Sequence, residues 1–249
     1  MVNELKIYIG TSGWSYDHWI GKFYPEDLKR NQWIKHLAQH FNSVELNMSF
    51  YRFPFKNMLQ GWYNKLPDNF QMTMKANRNI THRKKFKDTE ELLEKFYNRA
   101  ELLKEKIGCI LFQAPPSFHN NDENFQRLEK FQKALDDNYR NVFEFRHESW
   151  WQKEVYDLFK KNNSTFCIVS GLNMPEEVKI TSETVYFRFH GPGKAYASRY
   201  SAEEIKNWAN KIKKVANKEE VENIYCYFNN DMEGFAVDNA KELKAALSN

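Results

Sequence analysis

Three cysteines, nine glycines and no long apolar run set the first limits on this 249-residue chain. Cys109, Cys167 and Cys226 are widely spaced, and each lies inside an apolar, strand-like stretch. That spacing matches no zinc pattern, and thiols in such runs are expected to be buried and free, as in a cytoplasmic protein. No apolar run approaches the roughly 18 residues of a membrane span, so no membrane partner is expected. The first residues, MVNELKIYIG, pass straight into a strand without a basic region and a long apolar one, so no export signal is expected. The seven histidines include no H-x-H or H-E-x-x-H, and no metal is expected. G-x-G-x-x-G, the phosphate loop and the G-x-S-x-G elbow are also absent. No nicotinamide, flavin or other cofactor is therefore expected, and serine-based nucleophilic catalysis lacks its motif. No linker, low-complexity tract or solenoid repeat divides the chain, which reads as a single domain over 1–249.

What is present is ample for a core: 41% hydrophobic and 16% aromatic residues exclude disorder. The net charge of +4 permits anionic ligands but argues only weakly for nucleic acid. Eight strand-like runs follow in order: Lys6–Thr11, Ser43–Asn47, Gln71–Asn77, Cys109–Ala114, Asn141–Arg146, Thr165–Ser170, Thr184–His190 and Asn223–Asn229. Between most of them the apolar period turns helical, over Asp88–Lys104, Asn124–Leu135, Lys153–Lys161, Ser201–Ala216 and Ala236–Leu247, and less strongly over Gln32–Phe41 and Met58–Leu66. Ser201 with Glu204 is a capping box, and Asp88 with Glu91 reads as a similar helix start. The gap Gly171–Ile180 contains Pro175 and is too short for a full helix. The α/β alternation predicts a single (β/α)8 TIM-like barrel with one degenerate βα unit between strands six and seven. A doubly wound open sheet is the structural alternative.

The strands carry misplaced charges. In VFEFRHESWW, Glu144 and Arg146 share one face of a strand whose other face is Phe143 and Phe145. Alternate positions elsewhere give Glu45 and Asn47; Thr73, Lys75 and Asn77; Gln113; Tyr186, Arg188 and His190; and Tyr225, Tyr227 and Asn229. In a barrel these line the interior, concentrated toward the strand C-termini where barrel enzymes build their sites. One internal Glu–Arg pair is ordinary structure, and so is one hydrogen-bonded histidine. Several ions in one interior cost several kcal/mol each unless paired or hydrated, so the collection points to a ligand-binding mouth. With His190 neutral, the set holds one more cation than anion, which suits a small anionic ligand, phosphorylated or sugar-like. Glu45 or Glu144 is a candidate general base, and Lys75 or His190 a candidate acid or electrophile. Arg146 and Arg188 are candidates to fork the anion. Glu45, Glu144 and His190 could also converge on an ion, but nothing in the spacing requires it.

Three neighbouring segments complete the expected site. GTSGWSY brings Thr11 and Trp14, HGPGKAY brings Lys194 and Tyr196, and Tyr51 is among several aromatics that could wall a sugar-like ligand. The basic run RNITHRKKFK (78–87) contains His82 and reads mainly as a solvated loop or helix start.

The segments GTSGWSY…W.GKFYP, VELNMSFYR, MKANRNITH, LFQAPPSF, FEFRHESWW, FRFHGPGKAYASRYS and YFNND together resemble the YecE-like family, the domain of unknown function 72. The resemblance runs in order along essentially the whole chain. It implies a TIM-like barrel and brings no established activity. Its motif positions match Glu45, Asn47, Lys75, Thr81, His82, Gln113, Glu144, Arg146, His190 and Asn229. VSGLNMP (169–175) departs from the family, which often has an acidic residue after strand six. The expectation is an enzyme with general acid/base chemistry, as in a hydrolase, lyase or isomerase. The alternatives are a nucleic-acid binding or processing protein of the barrel-endonuclease type and a non-catalytic small-ligand binding module. Nothing in the sequence speaks to oligomeric state.

Overall fold

Parallel strands wrapped by helices form the framework of the computed structural model, which describes residues 4–248. The strands are β1 Lys6–Ser12, β2 Ser43–Leu46, β3 Gln71–Lys75, β4 Ile107–Gln113, β5 Arg140–Glu144, β6 Thr165–Phe166, β7 Ile168–Ser170, β8 Thr184–Phe189 and β9 Asn223–Phe228. The helices are α1 Trp33–His40, α2 Met48–Tyr51, α3 Lys56–Tyr63, α4 Glu90–Ala100, α5 Asp122–Gln132, α6 Lys153–Lys161, α7 Ala202–Ala216 and α8 Phe235–Ser248. All pairings are parallel, in the order β6-β5-β4-β3-β2-β1-β9-β8-β7.

Nine segments make eight staves. The sixth predicted strand is interrupted at Cys167: β6 pairs with β5, and β7 pairs with β8. Cys167 N donates to Phe143 O at 2.8 Å, so the interrupted stave spans the seam of the nearly closed barrel. Between β7 and β8 the chain forms no helix, as the short gap predicted. Glu176 returns from that loop to accept from Ser170 Oγ at 2.7 Å and Gly171 N at 3.2 Å, placing a carboxylate at the end of the sixth stave from six residues downstream.

The strand alternation sorts two cores. Val44, Leu46, Met72, Met74, Ile110, Phe112, Phe187 and Phe228 pack outward with the helices. Cys109, Leu111, Val142, Cys167, Val169, Tyr186, Tyr225 and Tyr227 fill the barrel. The phenols there find partners: Tyr227 Oη meets both Ser43 Oγ and Thr73 Oγ1, and Tyr186 donates to Glu45. Cys109, Cys167 and Cys226 are buried free thiols. Burial pushes the Cys109 thiol up to about 12, which makes it inert.

Helix boundaries differ from the sequence reading mainly at α4. The predicted Asp88–Lys104 helix begins only at Glu90, and its tail continues as a 3-10 segment, Glu101–Lys106. Asp88 does not cap it: its φ is 49°, and the N-cap position is held by Thr89 without a side-chain hydrogen bond. The Ser201–Glu204 capping box is formed, with both reciprocal bonds present. Among the described residues, no helix is long and apolar enough to cross a membrane.

Candidate active site at the C-terminal mouth

The charged residues form a ladder under the mouth. Arg188, on β8, lies between two buried carboxylates. Its Nη2 and Nε donate to Glu45 Oε1 and Oε2 at 2.6 and 3.0 Å, and its Nη1 donates to Glu144 Oε2. Ser12 Oγ and Tyr186 Oη also donate to Glu45, each at 2.6 Å. Glu144 Oε1 then meets Arg146 Nε at 2.5 Å and His190 Nε2 at 3.1 Å. The Arg146 contact is ionic rather than a well-aligned hydrogen bond, because the N–H does not point along it. Charges alternate from Glu45 through Arg188 and Glu144 to Arg146, which makes burial of four ions tolerable.

This pairing redistributes the expected roles. Burial alone would raise the Glu144 pKa, but Arg146, Arg188 and His190 hold it well below the usual carboxylate range. Neither Glu45 nor Glu144 lines the cavity above, and both have their oxygens occupied. Arg188 is fully buried with its fork committed to these carboxylates, so it does not reach a ligand as expected. His190 is also fully buried. Its Nε2 faces Glu144, and its Nδ1 lies 3.2 Å from Asn229 Nδ2, which fits a neutral ring donating through Nε2 and accepting at Nδ1. Burial and Arg146 lower its pKa to about 3. It supports Glu144 rather than facing a substrate. Thr11 is buried too, with Oγ1 donating to Gly13 O at 2.7 Å, and it also stays out of the cavity.

Above the ladder opens a cavity of about 940 Å³. Trp14, Asn47, Tyr51, Lys75, His82, Gln113, Arg146, Tyr196 and Asn229 all line it, so the structure assembles most of the predicted set from the ends of seven strands. Lys75 is the informative member. Its Nζ donates to Gln113 Oε1 at 2.5 Å and lies 4.4 Å from the centre of the Phe50 ring. Burial first, and then the Arg188 charge, lower its pKa to about 7. Its backbone is held: Ser49 Oγ lies 2.6 Å from Lys75 O and 2.8 Å from Leu46 O, with one proton to donate between them, while Asn77 Nδ2 donates to Ser49 O at 3.0 Å. His82 sits in a π-helical turn, Asn79–Arg83, with Nδ1 2.9 Å from Thr81 Oγ1. Burial and Lys75 lower its pKa to about 4.

Arg146 borders the cavity, and its Nη1 donates to Tyr196 Oη at 2.8 Å. The 191–199 loop holds that tyrosine with φ 65° and a bond from its N to His190 O at 2.6 Å. Lys194 is exposed and does not line the cavity. Gly13 has to be glycine: φ is 91°, and a Cβ would lie 2.4 Å from the Tyr16 hydroxyl. The basic run 78–87 is anchored by buried Phe86, while Lys84 and Lys85 donate to backbone carbonyls of Asp88 and Ser117.

Sequence reasoning missed Trp62, Arg30, Arg52 and Asp231, which also line the cavity. Trp62 comes from α3 and meets Trp14 edge-on at 5.2 Å. No strand periodicity marks a helix-borne wall. Asp231 closes the YFNND segment, two residues beyond Asn229, so its signal lay within that motif. Among the described residues, no group of three or more His, Cys, Asp or Glu side chains is placed to hold a metal ion.

Nearly closed parallel staves, outer helices and a polar cavity over the strand C-termini define a TIM-like α/β barrel with its candidate site at the usual end. The chain belongs to the DUF72 family, "Protein of unknown function DUF72", whose model matches residues 8–249. It is 27% identical to the UPF0759 protein YunF of Bacillus subtilis, over 97% of this chain and 94% of that one. Among solved structures it is similar to a DUF72 family protein from Thermotoga maritima, with a TM-score of 0.89, 32% identity and coverage of 98% of this chain and 100% of that one. A DUF72 family protein from Enterococcus faecalis has the same fold, with a TM-score of 0.85, 24% identity and coverage of 98% and 96%.

Proposed function

We propose that the protein is a barrel enzyme that binds a small anionic substrate, phosphorylated or sugar-like, at the C-terminal mouth and uses Lys75 as its acid–base group. One observation carries this reading: Lys75 is a cavity-lining amine whose pKa is lowered to about 7. A group poised near neutral pH exists in both protonation states there, so it can take a proton and return it with little penalty. Gln113 orients the amine, and Phe50 shields one side of it. Arg146 supplies a fixed cation for the substrate's anion, although Glu144 partly offsets its charge. Trp14, Tyr51, Trp62 and Tyr196 offer aromatic faces suited to the apolar face of a sugar ring. The proton transfers are assigned to protein groups alone, and the reaction class is that of a hydrolase, lyase or isomerase.

The test joins native mass spectrometry of gently purified protein to a turnover screen of sugar phosphates and sugar acids. The wild type is expected to retain an anion and turn over a member of the panel. Its rate should rise with pH through a midpoint near the Lys75 pKa of about 7, because the protonated amine cannot act as base. Lys75→Met should bind that substrate without turning it over, and Arg146→Lys should raise KM. Wild-type turnover by Lys75→Met would sink the proposal.

A further inference from the structure

The mouth cavity is divided by chemistry, and the anion and Lys75 account for only one part of it. Tyr196 aside, every Trp, Tyr, Phe, Met and Leu lining the cavity lies between the end of β1 and the start of β3. The other staves contribute polar side chains: Lys75, His82, Gln113, Arg146, Asn229 and Asp231. Strands β1 to β5 are neighbours in that order, so the lining changes character stepwise around the mouth. An apolar lobe follows β1 and β2, Lys75 and Gln113 stand on β3 and β4, and Arg146 follows β5. In the lobe, Trp14 and Trp62 meet edge-on at 5.2 Å, and Tyr51 lines the cavity while 65% exposed. Phe50 joins the two parts, its ring centre 4.4 Å from Lys75 Nζ.

Size and hydrogen bonding narrow what the lobe takes. At about 940 Å³ the cavity is near the upper end of the roughly 300–1,000 Å³ of small-molecule sites, more than a lone sugar phosphate fills. The hydroxyls around a second sugar would need polar partners, and several of the lobe's polar groups are engaged elsewhere. Arg30 donates to Asp17 at 2.7 Å, Tyr16 Oη donates to Ser12 O at 2.8 Å, and Arg52 lies 5.8 Å from the centre of the Phe55 ring. A flat aromatic ring needs only the faces and edges of other rings, which the lobe supplies. We infer that the substrate carries a planar aromatic ring as well as its anion. The ring lies in the lobe of Trp14, Phe50, Tyr51 and Trp62, the anion lies at Arg146, and a polar linking part passes Lys75 and Gln113. With the mouth as the substrate site, the substrate class becomes an aromatic phosphate, a simple aryl ester or a mononucleotide, a class that rests on that reading of the mouth.

Isothermal titration calorimetry at constant ionic strength compares ribose 5-phosphate with phenyl phosphate and the four ribonucleoside monophosphates. At least one ring-bearing phosphate is expected to bind about tenfold or more tightly than ribose 5-phosphate, the scale of one stacked ring. Trp62→Ala should remove that advantage and leave ribose 5-phosphate unchanged. Tyr51→Ala, at an exposed position, should reduce the advantage several-fold and decides the matter if Trp62→Ala does not fold. A preference for nucleotides over phenyl phosphate assigns the nucleotide, and the reverse assigns the simple aryl ester. An advantage that is absent, or that survives both substitutions, overturns the aromatic lobe while leaving an anion site at Arg146 standing. Tighter binding of sucrose 6-phosphate than of every aromatic phosphate puts a sugar in the lobe and overturns the aromatic class. Far tighter binding of an oligonucleotide, falling steeply with salt, overturns the small-substrate assignment. No binding by any probe overturns the anion site as well. The readout is affinity, so it is independent of whether Lys75 moves a proton.

Discussion

Arg188 illustrates how much one side chain decides. It is fully buried and bonded to two carboxylates from other strands, so removing either carboxylate leaves the buried ladder with one cation in excess. Glu144→Gln is expected to destabilise the fold by about 3–5 kcal/mol, measured by urea unfolding. Lys75 behaves oppositely. Its lowered pKa means that burial penalises the charged amine, so Lys75→Met should raise Tm at pH 6 even as it abolishes the proposed turnover. A fall in Tm there would mean that the amine is structural. For His190, the folded pKa of about 3 lies below its ordinary 6.5. The unfolded chain therefore binds the extra proton between those values: stability is complete above pH 6.5 and falls as pH drops toward 3. His82, lowered to about 4, adds to the same loss, and Glu144 contributes below its ordinary 4.5. Thermal unfolding against pH measures this, and His190→Gln should flatten the slope. The sequence showed Glu144 and Arg146 as a pair because they are two residues apart. It could not show Arg188 between Glu45 and Glu144, because those partners are distant in the chain and only barrel closure brings them together.

Elements were legible where local chemistry determines them. The capping box of α7 is written in Ser201 and Glu204, and Ser201→Ala should cost about 1 kcal/mol, read by thermal unfolding. Asp88 looked equivalent but takes a left-handed conformation in a turn shaped by buried Phe86, whose ring lies 4.8 Å from Phe131. Tertiary packing overrode the local preference there. The sixth strand read as one run because its composition is continuous; its interruption at Cys167 arises from pairing with β5 on one side of that residue and β8 on the other. Gly10 on β1 shows the closeness of that strand packing. A Cβ there would lie 1.9 Å from Ser43 O on the neighbouring strand, so Gly10→Ala should disrupt the β1–β2 pairing and lower the yield of folded protein.

At the scale of the whole molecule the barrel has a two-part mouth: a polar part with Lys75 and Arg146, and an apolar lobe with Trp14 and Trp62. The sequence by itself determined the eight-stave α/β barrel, the missing helix after the sixth stave, and the inward face of nearly every polar strand residue. Period-two alternation and the spacing of turns act locally, so they survive in a linear reading. Only the tertiary structure decided which of those inward residues meet a ligand. Depth along each stave, and the partner each charge finds across the barrel, depend on strand register and closure. These put Glu45, Glu144, Arg188 and His190 into a self-satisfied ladder and left Lys75 facing the cavity with a pKa near neutrality.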